Sequence, residues 1–355
     1  MKLSILTSQK RYTRGFNDFH PIYRWRKELK NNNLYCEFYN NHRRLRKGDI
    51  LIIDYRYIRS VFGDWTQEAK LFTFSLCKSA KNNFGKIIFF DTGDSAGSKC
   101  FGVLEYVDIF WKKQVFKDLN AYLRDNGEKN WMCWLPEQLN SQHRKYDMPQ
   151  KDDLHKIKIA WNIAYNGYYE SNEWIKAVFS NTVLSESLFE NKFRNGFVEG
   201  DIDTCYRVSF KNNKRYDYQR HLVNENLNKI NFNFKVSSGG KIPKKQYLRE
   251  MKNSKIVISP YGWGEICYRD FEAIINGSLL IKPDMSHINT FPDIFIETKT
   301  YIPIAWDISD LEKTLLEIKK NPEKLKELAI NAQDLLKPYL IDPNIFVKHF
   351  QTILR

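Results

Sequence analysis

What the sequence does without narrows what it can be. Its six cysteines, at positions 36, 77, 100, 133, 205 and 267, lie far apart and never form a C-x-x-C pair. That excludes a zinc knuckle or a dithiol redox motif and fits a reducing compartment. No apolar run approaches the ~18 residues needed to span a bilayer. The apolar opening, Met1 to Thr7, is broken at once by Ser8, Gln9, Lys10 and Arg11, so it lacks the apolar segment of a signal peptide and reads as a first buried strand. The expected place is the cytoplasm, where the lone sequon Asn276-Gly277-Ser278 carries no glycan. Neither G-x-G-x-x-G nor G-K-[ST] occurs, which excludes a dinucleotide fingerprint and a Walker loop. There is no internal repeat and no low-complexity segment.

Negative charge is also in short supply: 42 acidic residues face 56 lysines and arginines, leaving a formal charge of +14. The surplus implies an anionic partner. Nucleic acid, acidic phospholipid, lipid-linked diphosphates and nucleotide-sugars all qualify, peripheral contact with an anionic membrane surface is compatible, and a diffuse lysine surplus is the plain alternative. Nucleic acid is disfavoured, because helix-turn-helix, RNP-like and finger signatures are missing and the cations are spread along the chain.

What is present is material for two cores. A chain of 355 residues with 42% hydrophobic and 15% aromatic residues exceeds one ordinary core and suits two domains. Its first half alternates apolar runs with helical stretches: Lys2 to Leu6, a helical stretch around Trp25, Leu34 to Tyr39, Asp49 to Asp54, a helix near Thr66 to Asn82, Lys86 to Phe90, and then Ile157 to Ala160 and a helix around Trp174. Continuous apolar strands alternating with helices indicate a parallel sheet covered on both faces. A second series follows: Tyr206 to Phe210, a helix from Tyr216 to Asn228, Phe232 to Val236, a helix from Lys244 to Asn253, Ile256 to Ser259, a helix from Ile266 to Asn276, Leu279 to Lys282 and Tyr301 to Ile304. The expected fold class is α/β, with two Rossmann-like doubly wound domains at 1–165 and 206–330, a passage at 166–205, and helices at 331–355 that pack back on the first domain.

The most informative stretch is KIVISPYGWGEICYRDFEAIINGSLLIKP, from Lys255 to Pro283. A buried strand, a turn with Gly262 and Gly264, and a helix start beside the strand end make an anion site, because the unpaired amides and the helix dipole point there. On that helix Arg269 lies one turn from Glu265 and within a turn of Glu272, and an acid so placed reaches a ribose hydroxyl pair. Glu272 is the candidate. A solvated Glu-Arg-Glu ladder is the alternative.

Ser259, Pro260, Gly262, Arg269, Glu272, Ala273, Ile274 and Gly277 together resemble the donor-binding half of GT-B glycosyltransferases, particularly the exostosin-like and group 1 types. The match covers roughly 200 to 310, and the first half only in rhythm. The resemblance implies a nucleotide-sugar donor, with Glu272 on the ribose and Arg269 and the Gly262–Gly264 turn on the diphosphate, beside Ser259 and Tyr268. By the same resemblance Arg215 and Arg220, after the strand ending at Phe210, supply further phosphate-binding cations, and the 237–243 loop, with Gly240 and Ile242, reads the base. One departure bears on stereochemistry. Retaining group 1 enzymes carry a second Glu eight residues before the ribose Glu, whereas position 264 is Gly and Glu265 is one residue out of register, so inversion is expected.

Inverting transfer needs a carboxylate or His that takes the acceptor proton. The candidates are Asp94 and Asp91 in FFDTGDSAG, where small residues bring backbone close to a ligand, and Asp18 and His20 in the first loop. For Asp91, capping of the next turn is the alternative. No cofactor and no metal are expected, although Asp201-Ile202-Asp203 is a D-x-D of the type that grips a divalent ion in the GT-A fold. The acceptor is read as a glycan or glycolipid such as lipopolysaccharide or capsule, with Arg11, Tyr12, Arg14, Tyr23, Trp25 and Arg26 suited to stacking on anionic sugars. A DNA-modifying glycosyltransferase or a nucleic-acid-binding protein is the alternative.

Overall fold

Runs such as Ile50–Ile53 and Ile87–Phe90, buried throughout, leave no polar face and so form strands covered on both sides. The computed structural model describes residues 1–8, 17–123, 133–140, 147–166, 193–194, 196–229 and 234–355. In the first half these runs form β1 (Lys2–Leu6), β2 (Tyr35–Tyr39), β3 (Gly48–Asp54), β4 (Phe84–Asp91), β5 (Ile109–Lys112), β6 (Gln114–Phe116) and β7 (Ile157–Ile159). All but β6 pair in one parallel sheet, ordered β2-β1-β3-β4-β5-β7. Helices α1 (His20–Arg24), α2 (Arg26–Asn31), α3 (Tyr55–Phe62) and α4 (Gln67–Ala80) connect the strands. The Asp54 carboxylate caps α3 by accepting from Arg56 N at 2.9 Å, and Thr66 caps α4 through Ala69 N.

The second half repeats the plan with β8 (Ile202–Arg207), β9 (Val236–Gly239), β10 (Ser254–Ile258), β11 (Leu279–Pro283), β12 (Ile288–Thr290) and β13 (Ile302–Ile304). Its parallel sheet runs β13-β11-β10-β8-β9. It is covered by α5 (Lys214–Lys229), α6 (Lys244–Lys252), α7 (Tyr268–Ile275), α8 (Leu311–Lys320) and α9 (Pro322–Ile341). In each sheet the winding direction reverses once, between β1 and β3 and between β8 and β10, and ligands of open α/β sheets bind outside the carboxyl ends at such points. This is the doubly wound two-sheet architecture expected from the sequence.

Three features join the halves. Strand β12 pairs antiparallel with β6. The last helix, α10 (Pro343–Ile353), returns to the first sheet, where Phe346 and Phe350 pack on Trp161 and Phe350 on Trp111. Trp111 Nε1 there donates to Ile353 O at 3.1 Å. Finally, the loop before α7 touches the loop after β4, as described below.

Several boundaries differ from expectation. The strand expected at Tyr206 to Phe210 is Ile202–Arg207, because Ile202 pairs with Ser254 and Cys205 with Val257. The D-x-D therefore straddles the start of β8. Asp203 there pairs with Lys255 at 3.0 Å and accepts from Lys235 N, at the opposite end of the strand from the site below, and cannot grip a ligand there. Of the strand expected at Phe232 to Val236, residues 232 and 233 lie outside the described residues; β9 is Val236–Gly239, so Ser237 to Gly239 belong to it and only 240–243 form a loop. The expected Trp174 helix and the residues Arg11, Tyr12 and Arg14 lie outside the described residues.

Helix α7 is capped by Asn276, and Gly277 follows with φ +81, where any Cβ would overlap the Gly196 carbonyl. Only glycine fits both demands. Near β12, burial among the rings of Phe116, Tyr261 and Trp306 lowers the His287 pKa to about 4. The folded value lies below the unfolded one, so the unfolded state binds the proton first. Stability is intact above about pH 6.5 and is lost as pH falls towards about 4. Melts across this window should show a wild-type slope steeper than that of His287→Leu, by at most about 1.4 kcal/mol per pH unit.

Candidate active site

At the carboxyl ends of β8 and β9, between the starts of α6 and α7, lies a cavity of about 300 Å³ lined by Arg207, Ser209, Gly240, Ile242, Tyr247, Arg269 and Glu272 among others. It collects four of the residues singled out in the sequence: Gly240, Ile242, Arg269 and Glu272. Arg269 reaches it because α7 starts beside β10. Its Nη2 donates to the Arg207 carbonyl at 2.8 Å, while Nε and Nη1 are buried and have no acceptor among the described residues. Buried guanidinium N–H groups left unmatched are costly unless a ligand matches them. One turn on, Glu272 accepts from the Tyr247 hydroxyl at 2.5 Å, and burial raises its carboxyl against the pull of that bond and of Arg269. No Glu-Arg-Glu ladder forms, because Glu265 faces the other way.

The other donor-side candidates are placed differently. Arg220 lies 3.7 Å over the Tyr216 ring, donates to Ser209 O at 2.5 Å, and has a buried Nε with no acceptor among the described residues. Gly262 lies against it, since a Cβ there would come within 3.0 Å of Arg220 Nη2. Arg220 thus reaches the cavity only through the Ser209 carbonyl, and neither Arg220 nor Gly262 lines it. Arg215 donates to Leu139 O at 2.8 Å and does not line the cavity. The Ser259 hydroxyl donates to Asp270, which pairs with Lys282 at 3.0 Å in a fully buried cluster; this corrects its placement as a ligand contact. Tyr268 is likewise turned away, accepting from Asn166 Nδ2 at 2.9 Å. Gly264 serves the joint between the halves: a Cβ there would overlap the Asp94 carbonyl.

That joint leads to a second cavity, of about 660 Å³, at the carboxyl ends of β3 and β4. Asp91 and Asp94 line it with Tyr55, Arg56, Arg59 and Lys99, and Lys211 and Trp263 come from the second half. The two cavities adjoin along one short segment, since Val208 and Ser209 line the first and Lys211 the second. Asp94 has a side chain 34% exposed, held by Lys113 at 3.2 Å and Arg56 at 3.6 Å. Asp91 is buried. Burial alone would raise its carboxyl, but the Lys112 ammonium at 2.8 Å outweighs this and holds it below the usual range. Asp18 is buried against Arg56 at 3.2 Å, and His20 is buried with Nδ1 2.7 Å from the Tyr165 carbonyl. Neither lines the cavity, so of the four base candidates only Asp94 and Asp91 face it.

Glu265, assigned no role from the sequence, holds the Asp94 loop. Fully buried, its carboxylate accepts from Ala96 N at 2.9 Å and from Gln114 Nε2 at 3.3 Å, and Gln114 Nε2 also donates to Asp94 O. Burial raises this carboxyl. Arg56, Lys113 and Tyr247 are further site residues the sequence reading did not single out. For Arg56 a signal existed, two residues past a strand-ending Asp; Lys113 and Tyr247 depend on tertiary contacts. Among the described residues no group of three or more His, Cys, Asp or Glu is arranged to hold a metal ion.

No family model and no curated protein matches this chain. Among solved structures it is similar over 99% of both chains to Anabaena HepE in complex with UDP-glucose, at 11% identity and a TM-score of 0.49. It is similar over 100% of both chains to an alpha-glucosyltransferase in complex with UDP and a 13-mer DNA containing a HMU base, at 10% identity and a TM-score of 0.46. Similarity to TarM covers 86% of this chain and 54% of that one, at 11% identity and a TM-score of 0.45.

Proposed function

We propose that the protein is a nucleotide-sugar-dependent glycosyltransferase of GT-B type, working without a metal and with inversion, on a glycan or glycolipid acceptor. The observation that carries this reading is the cavity at β8, β9 and α7. It sets buried guanidinium nitrogens of Arg269, without an acceptor among the described residues, beside a buried carboxylate, Glu272, as a diphosphate joined to a ribose requires. Glu272 and Tyr247 bind the ribose hydroxyls, and Ile242 packs on the base next to the Gly240 backbone. The diphosphate lies along Arg269 towards Arg220 and Gly262, where charged donors stabilise an anion in place of a metal.

In the reaction an acceptor hydroxyl in the larger cavity attacks the anomeric carbon from the face opposite the diphosphate. A new C–O bond forms, the bond to the diphosphate oxygen breaks, and the hydroxyl proton passes to the Asp94 carboxylate. The leaving diphosphate carries away the electron pair, matched by Arg269 and Arg220. Lys113 and Arg56 orient Asp94, and Glu265 with Gln114 fixes its loop against the helix that holds the nucleotide. No helix among the described residues is long and apolar enough to cross a membrane, which is compatible with action in the cytoplasm or at a membrane surface.

The test is turnover of UDP-, GDP-, ADP- and dTDP-sugars in EDTA, followed by release of the nucleoside diphosphate. One donor should be consumed at the same rate with and without the chelator. An enzyme silenced by EDTA and restored by manganese would contradict the metal-free reading.

A further inference from the structure

The larger cavity has a charge balance that the transfer step leaves unexplained. Its carboxylates are each matched by a cation of the protein itself: Asp91 by Lys112, Asp94 by Lys113 and Arg56, and Asp64 by Lys99. Arg56 also pairs with Asp18 behind the wall. Two cations of the lining remain, Arg59 from α3 in the first half and Lys211 from the segment after β8 in the second. Both are exposed, and neither has a carboxylate partner among the described residues. The Arg59 guanidinium is steadied by donating through Nε to Gly63 O at 3.3 Å, at the end of its own helix. That leaves its two Nη groups for another acceptor. The lining itself carries four cations, Arg56, Arg59, Lys99 and Lys211, against three carboxylates, Asp64, Asp91 and Asp94, and is left with one positive charge. Low-dielectric walls concentrate the field of such a surplus at the mouth of a cleft.

We infer that the acceptor is a sugar carrying an anionic substituent, a carboxylate or a phosphate, which Arg59 and Lys211 grip while the reacting hydroxyl lies at Asp94. This rests on the glycosyltransferase reading above. The tyrosine and tryptophan of the lining, Tyr55 and Trp263, offer apolar faces for the sugar ring. A guanidinium fork and an ammonium lining one cavity suit one compact anion, because the fork binds two of its oxygens and the ammonium supplies a point charge. A nucleic-acid duplex would call for a row of cations tracking successive phosphates. Two spare cations lining one cavity match a single charged substituent instead.

The experiment uses the full chain with its preferred nucleoside diphosphate bound, titrated with methyl β-glucuronide, glucose 6-phosphate, methyl β-glucoside and a short duplex DNA at low and moderate salt. At least one charged sugar should bind about tenfold more tightly than the neutral glycoside, with an advantage that shrinks as salt rises. Which charged sugar binds identifies carboxylate or phosphate. Arg59→Ala should abolish that preference and leave nucleoside diphosphate affinity unchanged. Lys211→Ala should weaken the charged sugar as well, and a parallel loss of nucleotide affinity in that variant would assign Lys211 to the donor. Equal binding of charged and neutral sugars, binding of the duplex alone, binding of none of the four, or a preference that survives Arg59→Ala would overturn the inference. The glycosyltransferase reading fails separately, if no nucleoside diphosphate binds at all.

Discussion

Arg269→Ala and Glu272→Ala should each weaken nucleoside diphosphate binding by roughly 10- to 150-fold, corresponding to about 1.5 to 3 kcal/mol for hydrogen bonds to a charged group. The two act on different parts of the ligand. Arg269 brings two buried nitrogens with no acceptor among the described residues to the cavity wall, so its loss is felt by any ligand with a diphosphate. Glu272 is held by Tyr247 and reads hydroxyls, so its loss is felt by nucleotides but not by inorganic pyrophosphate. Calorimetry on folded variants separates the two effects. Truncating Glu272 also frees the Tyr247 hydroxyl, which makes circular dichroism of each variant a necessary control. Unchanged nucleotide affinity in both folded variants would remove the donor site from this cavity.

Asp94→Asn should lower kcat by at least about a hundredfold while nucleotide affinity stays the same, since removing a general base costs about 10² to 10⁴ in rate. Asp94 leads because its carboxylate is partly exposed to the larger cavity. Asp91 lines the same cavity but is committed to Lys112, and Asp91→Asn should chiefly lower stability by leaving a buried ammonium unpaired. Near-normal turnover of Asp94→Asn would pass the role to Asp91, and near-normal turnover of both would show that no base acts from this wall.

The fold was legible where the apolar pattern is strong. Leu3 to Leu6, Ile50 to Ile53 and Ile256 to Ile258 are buried strands whose pattern permits little else, and the helix around Phe271 to Ile275 announces its buried face. Boundaries failed where polar residues enter a strand. Asp203 and Thr204 looked like a link, yet Thr204 is fully buried beside Ile256 in the sheet, because register is set by the partner strand and not by local polarity. The site divides in the same way. Gly240, Ile242, Arg269 and Glu272 converge because they follow strand ends, a position readable from the sequence. Ser259, Gly264 and Tyr268 sit in the same stretch but turn to Asp270, the Asp94 carbonyl and Asn166. Which way a side chain turns at a strand end depends on its partners in three dimensions, and Glu265, reaching across to Ala96, could not be assigned from spacing along α7.

The wild-type arm of the nucleotide titration tests the central claim most directly. Calorimetry of the unmodified protein in EDTA with UDP, GDP, ADP, dTDP and CMP should show one nucleoside diphosphate binding at a single site, with its signal lost in the Arg269→Ala, Glu272→Ala double variant. Absence of binding by all five, or binding that survives the double variant intact, would contradict a nucleotide-sugar site between β8, β9 and α7.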